Sequence, residues 1–200
     1  MYLIKVEIDR RDASPLLSDC QKMHRFVTGL FGTDRQTAQV LYRSNLVRNK
    51  LCLYLYASSS AEHIPANCSV QQREITAWLE NMNAGQVWGF DLIASPSQKV
   101  RVEGQKNSRR RILQSPADRR AWLERKAAQA GFALLDVEER EQIHVFGRHS
   151  TDNGGTMYHD AYQYCGALQI TDAAAFRAAL QNGIGAGKAY GFGMMLVKRV

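Results

Sequence analysis

Five glycines fall within eleven residues near the end of the 200-residue chain, in the run GIGAGKAYGFG at residues 183–193. Glycine lets a backbone adopt positive φ and approach a ligand closely. Successive amides in such a loop can form an anion-binding nest, to which Lys188 adds a positive charge. The run has neither the order of a P-loop nor the placement of a dinucleotide fingerprint. An anion cradle and a turn needed only for packing are equally consistent with it. The five glycines are Gly183, Gly185, Gly187, Gly191 and Gly193.

His24 is a candidate for proton transfer. It follows Cys20 by four residues and precedes Val27 by three, so it lies at the edge of an apolar helical stripe. A histidine at such a border is usually a packing residue. Because an imidazole has an unperturbed pKa of about 6.5, His24 could also accept or donate a proton at neutral pH.

Positive charge is concentrated in residues 99–126. This block holds ten Lys and Arg residues against three Asp and Glu residues, so its surplus equals the net charge of +7 of the whole chain. A solvated charged helix is the ordinary explanation of a charge run. The concentration of the entire surplus favours a polyanion instead, because each neutralised phosphate releases counterions. The arginines predicted to contact phosphates are Arg109, Arg110, Arg111, Arg119 and Arg120.

The hydrophobic pattern predicts the elements that position these residues. Residues 1–9 alternate with a period of two, which predicts a strand. Ser14 followed by Pro15 predicts a helix start, and apolar spacings of three and four continue that helix toward Gly32. Further strands are expected around 39–46, 50–57 and 87–93, and a helix over 70–81. The order β-α-β-β-α-β is that of a ferredoxin-like half.

The second half of the chain repeats this theme more loosely. Helices are predicted over 117–130 and, with an Asp at its start, over 172–181. Strands are expected over 134–139, 142–148, 158–171 and 194–200, with a flexible hairpin tip at 149–155. The polar residues 95–108 suggest a boundary, so two domains are expected, 1–94 and 95–200. The predicted fold class is α+β, with two tandem ferredoxin-like (RRM-like) βαββαβ domains.

Composition narrows the class of protein. Hydrophobic residues make up 45% and charged residues 22% of the chain, which is typical of a globular protein, and the pI is about 9.4. The four cysteines lack zinc-site spacing, so no metal site is expected. No apolar run approaches the roughly 20 residues of a membrane span, and no signal segment is recognisable, so we expect a cytoplasmic protein without a membrane partner.

Two segments resemble a known family. The pattern G-I-G-x-x-K-x-x-G-x-G before a short apolar strand resembles the glycine-rich signature of the repeat-associated RAMP proteins. The opening MYLIKVEI followed by a helix with His24, and the ending ITDAAAFRAALQNGIGAGKAYGFGMM, are similar to the CasE type of CRISPR repeat endoribonuclease. The resemblance covers both ends of the chain well and the middle weakly.

The resemblance implies a fold and an activity. Two ferredoxin-like domains would lie side by side, bind a CRISPR repeat RNA hairpin across them and cut it at the 3′ base of the stem. His24 would be the catalytic histidine, moving a proton as a ribose 2′-OH attacks the adjacent phosphorus to give a 2′,3′-cyclic phosphate and a 5′-OH end. No metal or cofactor would be needed. The product would stay bound, and the protein would join other subunits of a type I-E, Cascade-type surveillance complex.

One position departs from the family pattern. Some members pair this histidine with a tyrosine one helical turn earlier, where this chain has Gln21. Glutamine can orient a group by hydrogen bonding but cannot act as an acid or base. Either His24 works with a basic neighbour such as Arg25 or Lys22, or catalysis is slow, or the protein is an inactive RNA-binding descendant.

The hairpin expected between His144 and Tyr164 is a further candidate RNA-facing region. It interleaves aromatic and basic residues, as a surface that stacks bases and grips phosphates would. Tyrosines in strands are more often packing partners, so the region and not its individual residues is predicted to contact RNA. A third reading, a ferredoxin-like enzyme for small phosphorylated ligands, would use the glycine run but would not need the basic block.

Overall fold

A computed structural model describes residues 1–32, 35–101, 109–148 and 155–200, and of residues 35, 36 and 109 the backbone alone. The strands are β1 (Tyr2–Asp9), β2 (Leu41–Val47), β3 (Lys50–Ala57), β4 (Cys68–Glu74), β5 (Val87–Ala94), β6 (Ser97–Val100), β7 (Arg109–Ile112), β8 (Phe132–Arg148), β9 (Thr156–Ile170) and β10 (Met195–Arg199). The helices are α1 (Arg10–Leu17), α2 (Cys20–Gly29), α3 (Arg35–Ala38), α4 (Thr76–Glu80), α5 (Pro116–Gln129) and α6 (Ala173–Asn182), and a 3-10 turn spans Lys188–Tyr190.

The first sheet has the strand order β2-β3-β1-β4, all antiparallel. The alternation predicted for the first strand is confirmed, since Ile4, Val6 and Ile8 are buried. They pack with the apolar stripe of α2, from Met23 to Leu30. The sheet therefore fixes the helix that carries His24.

The predicted helix start at Ser14 is wrong. The chain forms α1 from Arg10 with Pro15 inside it, and a separate helix α2 begins at Cys20. The break occurs because Asp19 has an extended backbone and caps α2, its carboxylate accepting a 2.8 Å hydrogen bond from the Gln21 amide. Asp19, not Ser14, therefore sets the phase of the helix around His24.

The second sheet has the order β10-β5-β9-β8, and the sequence β5-α5-β8-β9-α6-β10 is a complete ferredoxin-like unit. The strand expected over 87–93 does not complete the first sheet, because β5 pairs with β9 and β10. The helix expected over 70–81 is also wrong in its first part, where β4 runs to Glu74 before the short α4. Polar VQQRE still forms a strand because it pairs along β1, from Tyr2 opposite Glu74 to Ile8 opposite Cys68.

The predicted fold class is confirmed: α+β, with two four-stranded antiparallel sheets in the ferredoxin-like arrangement. The first unit departs from the pattern because residues 58–67, between β3 and β4, contain no helix. The domain limit at residues 94 and 95 stays a prediction.

Two predicted loops contain regular structure. Within the polar stretch 95–108, β6 pairs with β7, and residues 102–108 lie outside the described part of the chain. The predicted hairpin is confirmed, since β8 and β9 pair as far as Arg148 opposite Thr156. Most of its expected tip, 149–154, lies outside the described residues. The two runs predicted before it are one strand with a register shift between Glu139 and Gln142.

The two sheets share contacts across their junction. Leu41 and Tyr56 of the first sheet belong to the apolar core of the second. Arg43, only 1% exposed, forms an ion pair of 2.9 Å with Asp91 of β5. Gln163 also donates to that carboxylate, at 3.1 Å. The junction between the two sheets therefore combines apolar packing with a buried ion pair.

Candidate functional site

His24 lies on α2 at the border that the spacing predicts. Cys20, Met23 and Val27 of the same helix are buried, whereas His24 is half-buried. Its backbone carbonyl accepts a 3.1 Å hydrogen bond from Thr28 Oγ1. The helix thus presents the imidazole at the rim of a core, where it can combine a fixed position with access to a bound molecule.

Gln21 and Arg25 flank His24 on α2. Gln21 is half-buried, and Arg25 is exposed with its Nε donating to the Gln21 carbonyl at 3.4 Å. The Gln21 side chain lies one turn before His24, so it could orient a group near the imidazole. Arg25 and Lys22 are the two exposed cations of this helix.

The β8–β9 hairpin is seated on the start of α2. A Cβ added to Gly147 would lie 2.5 Å from Cys20 Sγ and 2.9 Å from Asp19 Oδ1. Only glycine permits so close an approach of strand to helix. Burial, and secondarily the Asp19 carboxylate, raises the pKa of the Cys20 thiol. Cys20 is therefore a packing residue where hairpin and helix meet.

The 3-10 turn of the glycine run also packs against α2. Its Tyr190 stacks on His159 of β9, with ring centroids 3.8 Å apart and planes inclined by 18°. Burial, followed by the nearby Cys20 thiol, raises the pKa of Tyr190. Tyr42 donates a 2.8 Å hydrogen bond to the Ala189 carbonyl and ties the turn to β2. Helix, hairpin and glycine run therefore converge at Cys20, one helical turn before His24.

The glycine run needs its glycines largely for packing. All five have positive φ, and an added Cβ would lie 2.6 Å from the Phe192 ring at Gly187 and 2.7 Å from the Ile184 carbonyl at Gly193. Amides of the run also bond internally: Ile184 donates to Gly193 at 2.9 Å and Gly193 to Ile93 at 2.7 Å. Two amides of the run are thus already engaged, and the residues of the run that line the groove beside α5 are Gly183, Gly185, Ala186 and Lys188. The anion nest stays a prediction.

That groove joins the glycine run to the basic block, and we call it the basic groove. It has a volume of about 550 Å³ and lies beside β6, β7 and α5. Its cations are Lys99, Arg110, Arg125, Lys126 and Lys188. The described residues that line it include no Asp or Glu; the others are Ser97, Gln98, Trp122, Gly183, Gly185 and Ala186. Five cations that line one groove suit a polyanion.

The arginines predicted to contact phosphates lie in different environments. Arg110 lines the basic groove and donates to Ser97 Oγ at 3.2 Å. Arg111 is exposed, and Arg120 is exposed and pairs with Glu124 at 2.7 Å. The Arg109 side chain lies outside the described part.

Arg119 requires a correction. It is 6% exposed, its Nε donates to Glu139 Oε2 at 2.9 Å, and its guanidinium lies 4.0 Å from the centre of the Tyr162 ring. The hydrogen bond with Glu139 raises the pKa of the guanidinium. Arg119 therefore fastens α5 to β8 and is not placed to contact RNA.

Sequence reasoning missed the individual contributions of Lys99, Arg125 and Lys126 to the groove. A signal existed on α5, where Trp122, Arg125 and Lys126 are spaced by three and four and so share a face. Trp122 packs against the glycine run, because a Cβ added to Gly185 would lie 3.0 Å from the Trp122 ring. The face of α5 that carries Trp122 is therefore turned toward the glycine run.

The hairpin residues separate into core and surface. Tyr162 and Tyr164 are buried, and burial raises the pKa of Tyr164. Phe146 and Tyr158 lie directly opposite each other and are 50% and 77% exposed. His144 pairs with Asp160 at 2.7 Å. The surface half of this region is thus compatible with the predicted RNA contact, and the buried tyrosines are packing residues.

Among the described residues there is neither a candidate metal site nor a helix that could span a membrane. Residues 1–32, 35–101, 109–148 and 155–200 contain no group of three or more His, Cys, Asp or Glu side chains able to hold a metal ion. None of the helices in this same part combines the length and apolarity needed to cross a membrane.

Comparisons with known proteins agree with this architecture. Residues 1–199 match the sequence model of the family described as CRISPR associated protein. The CRISPR-associated endoribonuclease Cse3 of Thermus thermophilus is 29% identical over 125 residues, which are 58% of this chain and 57% of that protein. The match therefore spans little more than half of that relative.

Two solved structures extend the likeness to the whole chain. The CRISPR endoribonuclease Cse3 bound to a 19-nucleotide RNA superposes with a TM-score of 0.82 at 23% identity, covering 99% of this chain and 100% of that one. A chain of a CRISPR RNA-guided surveillance complex in a pre-nicking state gives 0.77 at 25% identity, with 100% of both chains covered. The first likeness shows the fold.

Proposed function

Because this chain belongs to the CRISPR-associated protein family, we propose that it processes CRISPR RNA as an endoribonuclease. It cuts the precursor at the 3′ base of the repeat stem-loop and stays bound to the product. The Cse3 relative that carries the name endoribonuclease supports this assignment.

One observation carries the proposal. The glycine run lines the basic groove through Gly183, Gly185 and Lys188, and its 3-10 turn packs against α2. An RNA backbone held in the groove is thereby led toward the helix of His24. Within a stem, shape and phosphate contacts dominate recognition, because the major groove of A-form RNA is deep and narrow.

The reaction needs two proton transfers, one from the attacking 2′-OH and one to the leaving 5′-oxygen. The 2′-oxygen forms a bond to phosphorus as its proton leaves, and the bond to the 5′-oxygen breaks as that oxygen gains a proton. His24 is the imidazole that supplies general acid–base catalysis, a contribution of about 10²–10⁴ in rate. Arg25 neutralises phosphate charge, and Gln21 orients a reacting group. A 2′,3′-cyclic phosphate and a 5′-OH end result, and no metal ion takes part.

The partners follow from the same assignment. The repeat RNA hairpin, as precursor and as mature product, occupies the basic groove, with Arg111 and Arg120 at its margin. Other subunits of a Cascade-type complex bind the RNA-loaded protein; a related chain is part of an RNA-guided surveillance complex.

The test is incubation of the full chain with the repeat RNA of its own host in EDTA. We expect one cut at the base of the stem, with a cyclic-phosphate end. An RNA with 2′-deoxyribose before the scissile phosphate is the control and should bind without being cut. Cleavage that requires added metal, or that also occurs in the deoxy RNA, contradicts the chemistry.

Gln21 favours a second candidate, an inactive subunit that holds the hairpin. In that case the same incubation leaves the RNA intact but tightly bound. An enzyme for a small phosphorylated ligand is disfavoured, because the five cations of the basic groove exceed what a single phosphate neutralises.

A further inference from the structure

The proposed reaction has two proton transfers but so far a single histidine. A base must take the proton of the 2′-OH, and an acid must give a proton to the leaving 5′-oxygen. His24 can do one of these tasks at a time, and Gln21, one turn earlier on α2, can do neither. A second side chain that exchanges protons near neutral pH would complete the reaction.

His159 of β9 is a second half-buried imidazole. Four histidines lie in the described part of the chain, and two of them, His24 and His159, are half-buried. The other two, His63 and His144, are exposed. Partial burial can fix the position of an imidazole, and imidazole is the side chain whose ordinary pKa lies closest to neutral pH.

The register of the β8–β9 hairpin turns His159 toward α2. His159 lies directly opposite Val145, and Gly147, two residues further along β8, is the position packed against Cys20. Side chains two residues apart on a strand share one face of the sheet, and so do side chains that lie directly opposite each other. His159 is therefore on the hairpin face that meets α2, whereas His144 is on the other face.

The stack on Tyr190 holds the His159 ring in place. The two ring centroids are 3.8 Å apart and the planes are inclined by only 18°. Tyr190 belongs to the 3-10 turn that packs against α2, and Tyr42 ties this turn to β2 by donating to the Ala189 carbonyl at 2.8 Å. The imidazole is thus positioned by three elements: its own strand, the turn and the helix.

Hairpin and turn both reach α2 at Cys20. Gly147 packs against the Cys20 thiol, and the same thiol contributes to the raised pKa of Tyr190. Cys20 and His24 are four residues apart on α2, a spacing at which Cβ atoms are about 5–6 Å from each other. An RNA phosphate bound at this part of the helix can therefore lie between the two imidazoles.

Local charge suits His159 to the role of acid and His24 to that of base. The face of an aromatic ring attracts a cation, so the stack on Tyr190 favours an imidazole that carries a proton. The Asp19 carboxylate lies against the same face of the hairpin and adds negative charge there. His24, by contrast, is followed on α2 by Arg25, whose charge opposes a second positive charge beside it.

We propose that His159 is the general acid of RNA cleavage and His24 its general base, an inference that rests on the proposed function. His24 accepts the 2′-OH proton as the 2′-oxygen forms its bond to phosphorus. His159 donates its ring proton to the 5′-oxygen as the bond between that oxygen and phosphorus breaks. Solvent then returns a proton from His24 to His159, so that both rings regain their starting forms and no proton is gained or lost overall.

A repeat RNA with sulfur in place of the scissile 5′-oxygen tests this assignment. A sulfur leaving group needs no acid, because thiols ionise at a pKa of about 8.5 whereas alcohols do not ionise near neutral pH. The quantity measured is the ratio of the single-turnover rates on the sulfur RNA and on the native RNA, in EDTA. We expect His159→Ala to lower the rate on native RNA by about 10²–10⁴ and to raise this ratio by the same factor.

Three further variants give the comparison. His24→Ala removes the base and should slow both RNAs equally, so its ratio stays at the wild-type value. Tyr190→Phe keeps the stacked ring but removes the hydroxyl, and its ratio should also stay at the wild-type value. His159→Gln retains a polar side chain and should repeat the result of His159→Ala. Binding of the 2′-deoxy RNA by both His159 variants reports that the fold is intact.

Several results would overturn the assignment while the wild-type chain still cuts RNA, so that the proposed function stands. They are His159 variants that cut native RNA at the wild-type rate, or that lose the same factor on both RNAs, or that no longer bind the deoxy RNA. A raised ratio in His24→Ala or in Tyr190→Phe would assign the acid to another residue and overturn it as well. A wild-type chain that cuts neither RNA would overturn both the assignment and the proposed function.

Discussion

The α2 region around His24 and the basic groove meet through the glycine run but differ in burial and in charge. On α2, His24 is half-buried and lies one helical turn after Cys20, which packs closely against Gly147. In the basic groove, five cations line an open space without an acidic neighbour among the described lining residues. In the proposed function, the first region supplies the proton carrier and the second supplies positive charge.

If the proposed function holds, this difference makes the cutting and the holding of RNA separable. Charge in an open groove lowers the free energy of any bound RNA, whether or not its scissile phosphate has reacted. A positioned imidazole acts only on the reacting atoms. A substitution can therefore disrupt the function of one region while sparing that of the other.

Replacing the imidazole should have the largest effect. His24→Ala removes the proton carrier, so we expect the single-turnover cleavage rate at saturating RNA to fall by about 10²–10⁴. The dissociation constant for the RNA should stay within about twofold of wild type, since one half-buried imidazole contributes little beside the cations of the basic groove.

His63→Ala is the control for that variant. His63 is exposed between β3 and β4 and is not among the residues that line the basic groove. We expect it to cleave at the wild-type rate. Equal losses in the two variants would show that histidine removal acts through the fold and not through the reaction.

Arg119→Ala should identify a residue that belongs to neither region. It leaves Glu139 without its buried partner, so we expect the free energy of unfolding to fall by about 2–4 kcal/mol, measured by urea denaturation. The neighbouring Arg120→Ala removes only an exposed pair with Glu124 and should cost less than about 0.5 kcal/mol. A salt dependence of RNA binding that changed in Arg119→Ala but not in a groove variant would contradict this division.

The double variant Lys99→Gln/Arg125→Gln should weaken holding alone. Loss of two phosphate contacts should lower the slope of log affinity against log salt by about 1.5, measured by fluorescence anisotropy between 50 and 200 mM salt. The cleavage rate at saturating RNA should remain near that of wild type. A slope equal to wild type would remove these residues from the interface.

The smallest effect is expected at Gln21. Because glutamine can orient but cannot transfer a proton, Gln21→Ala should lower the single-turnover rate by less than about tenfold, the range of a single neutral hydrogen bond. A loss as large as that of His24→Ala would mean that Gln21 controls the active geometry, and no loss at all would remove it from the site.

The sequence predicted what depends on local pattern. Alternation in residues 1–9 and the helical spacing of Cys20, Met23 and Val27 correctly placed β1 and the border position of His24. The start of the helix could not be predicted from the sequence alone, because Ser14 and Asp19 can both cap a helix and only the packing of α2 selects Asp19.

What the sequence could not predict depends on long-range contact. Arg119 and Arg120 are adjacent in an arginine-rich helix, and only the position of Glu139, twenty residues later, makes the first a buried partner. Likewise, polar VQQRE becomes β4 because β1 offers it an edge. The glycines signalled positive φ correctly, but which amides stay available was decided by contacts to Ile93 and within the run.

The separation of cutting from holding is tested most directly by measuring the cleavage rate and the dissociation constant on one repeat RNA, in EDTA, for His24→Ala and for Lys99→Gln/Arg125→Gln. The account predicts a crossed pattern: the first variant loses rate and keeps affinity, and the second loses affinity and keeps rate. Two variants that lose rate and affinity in the same proportion would contradict it.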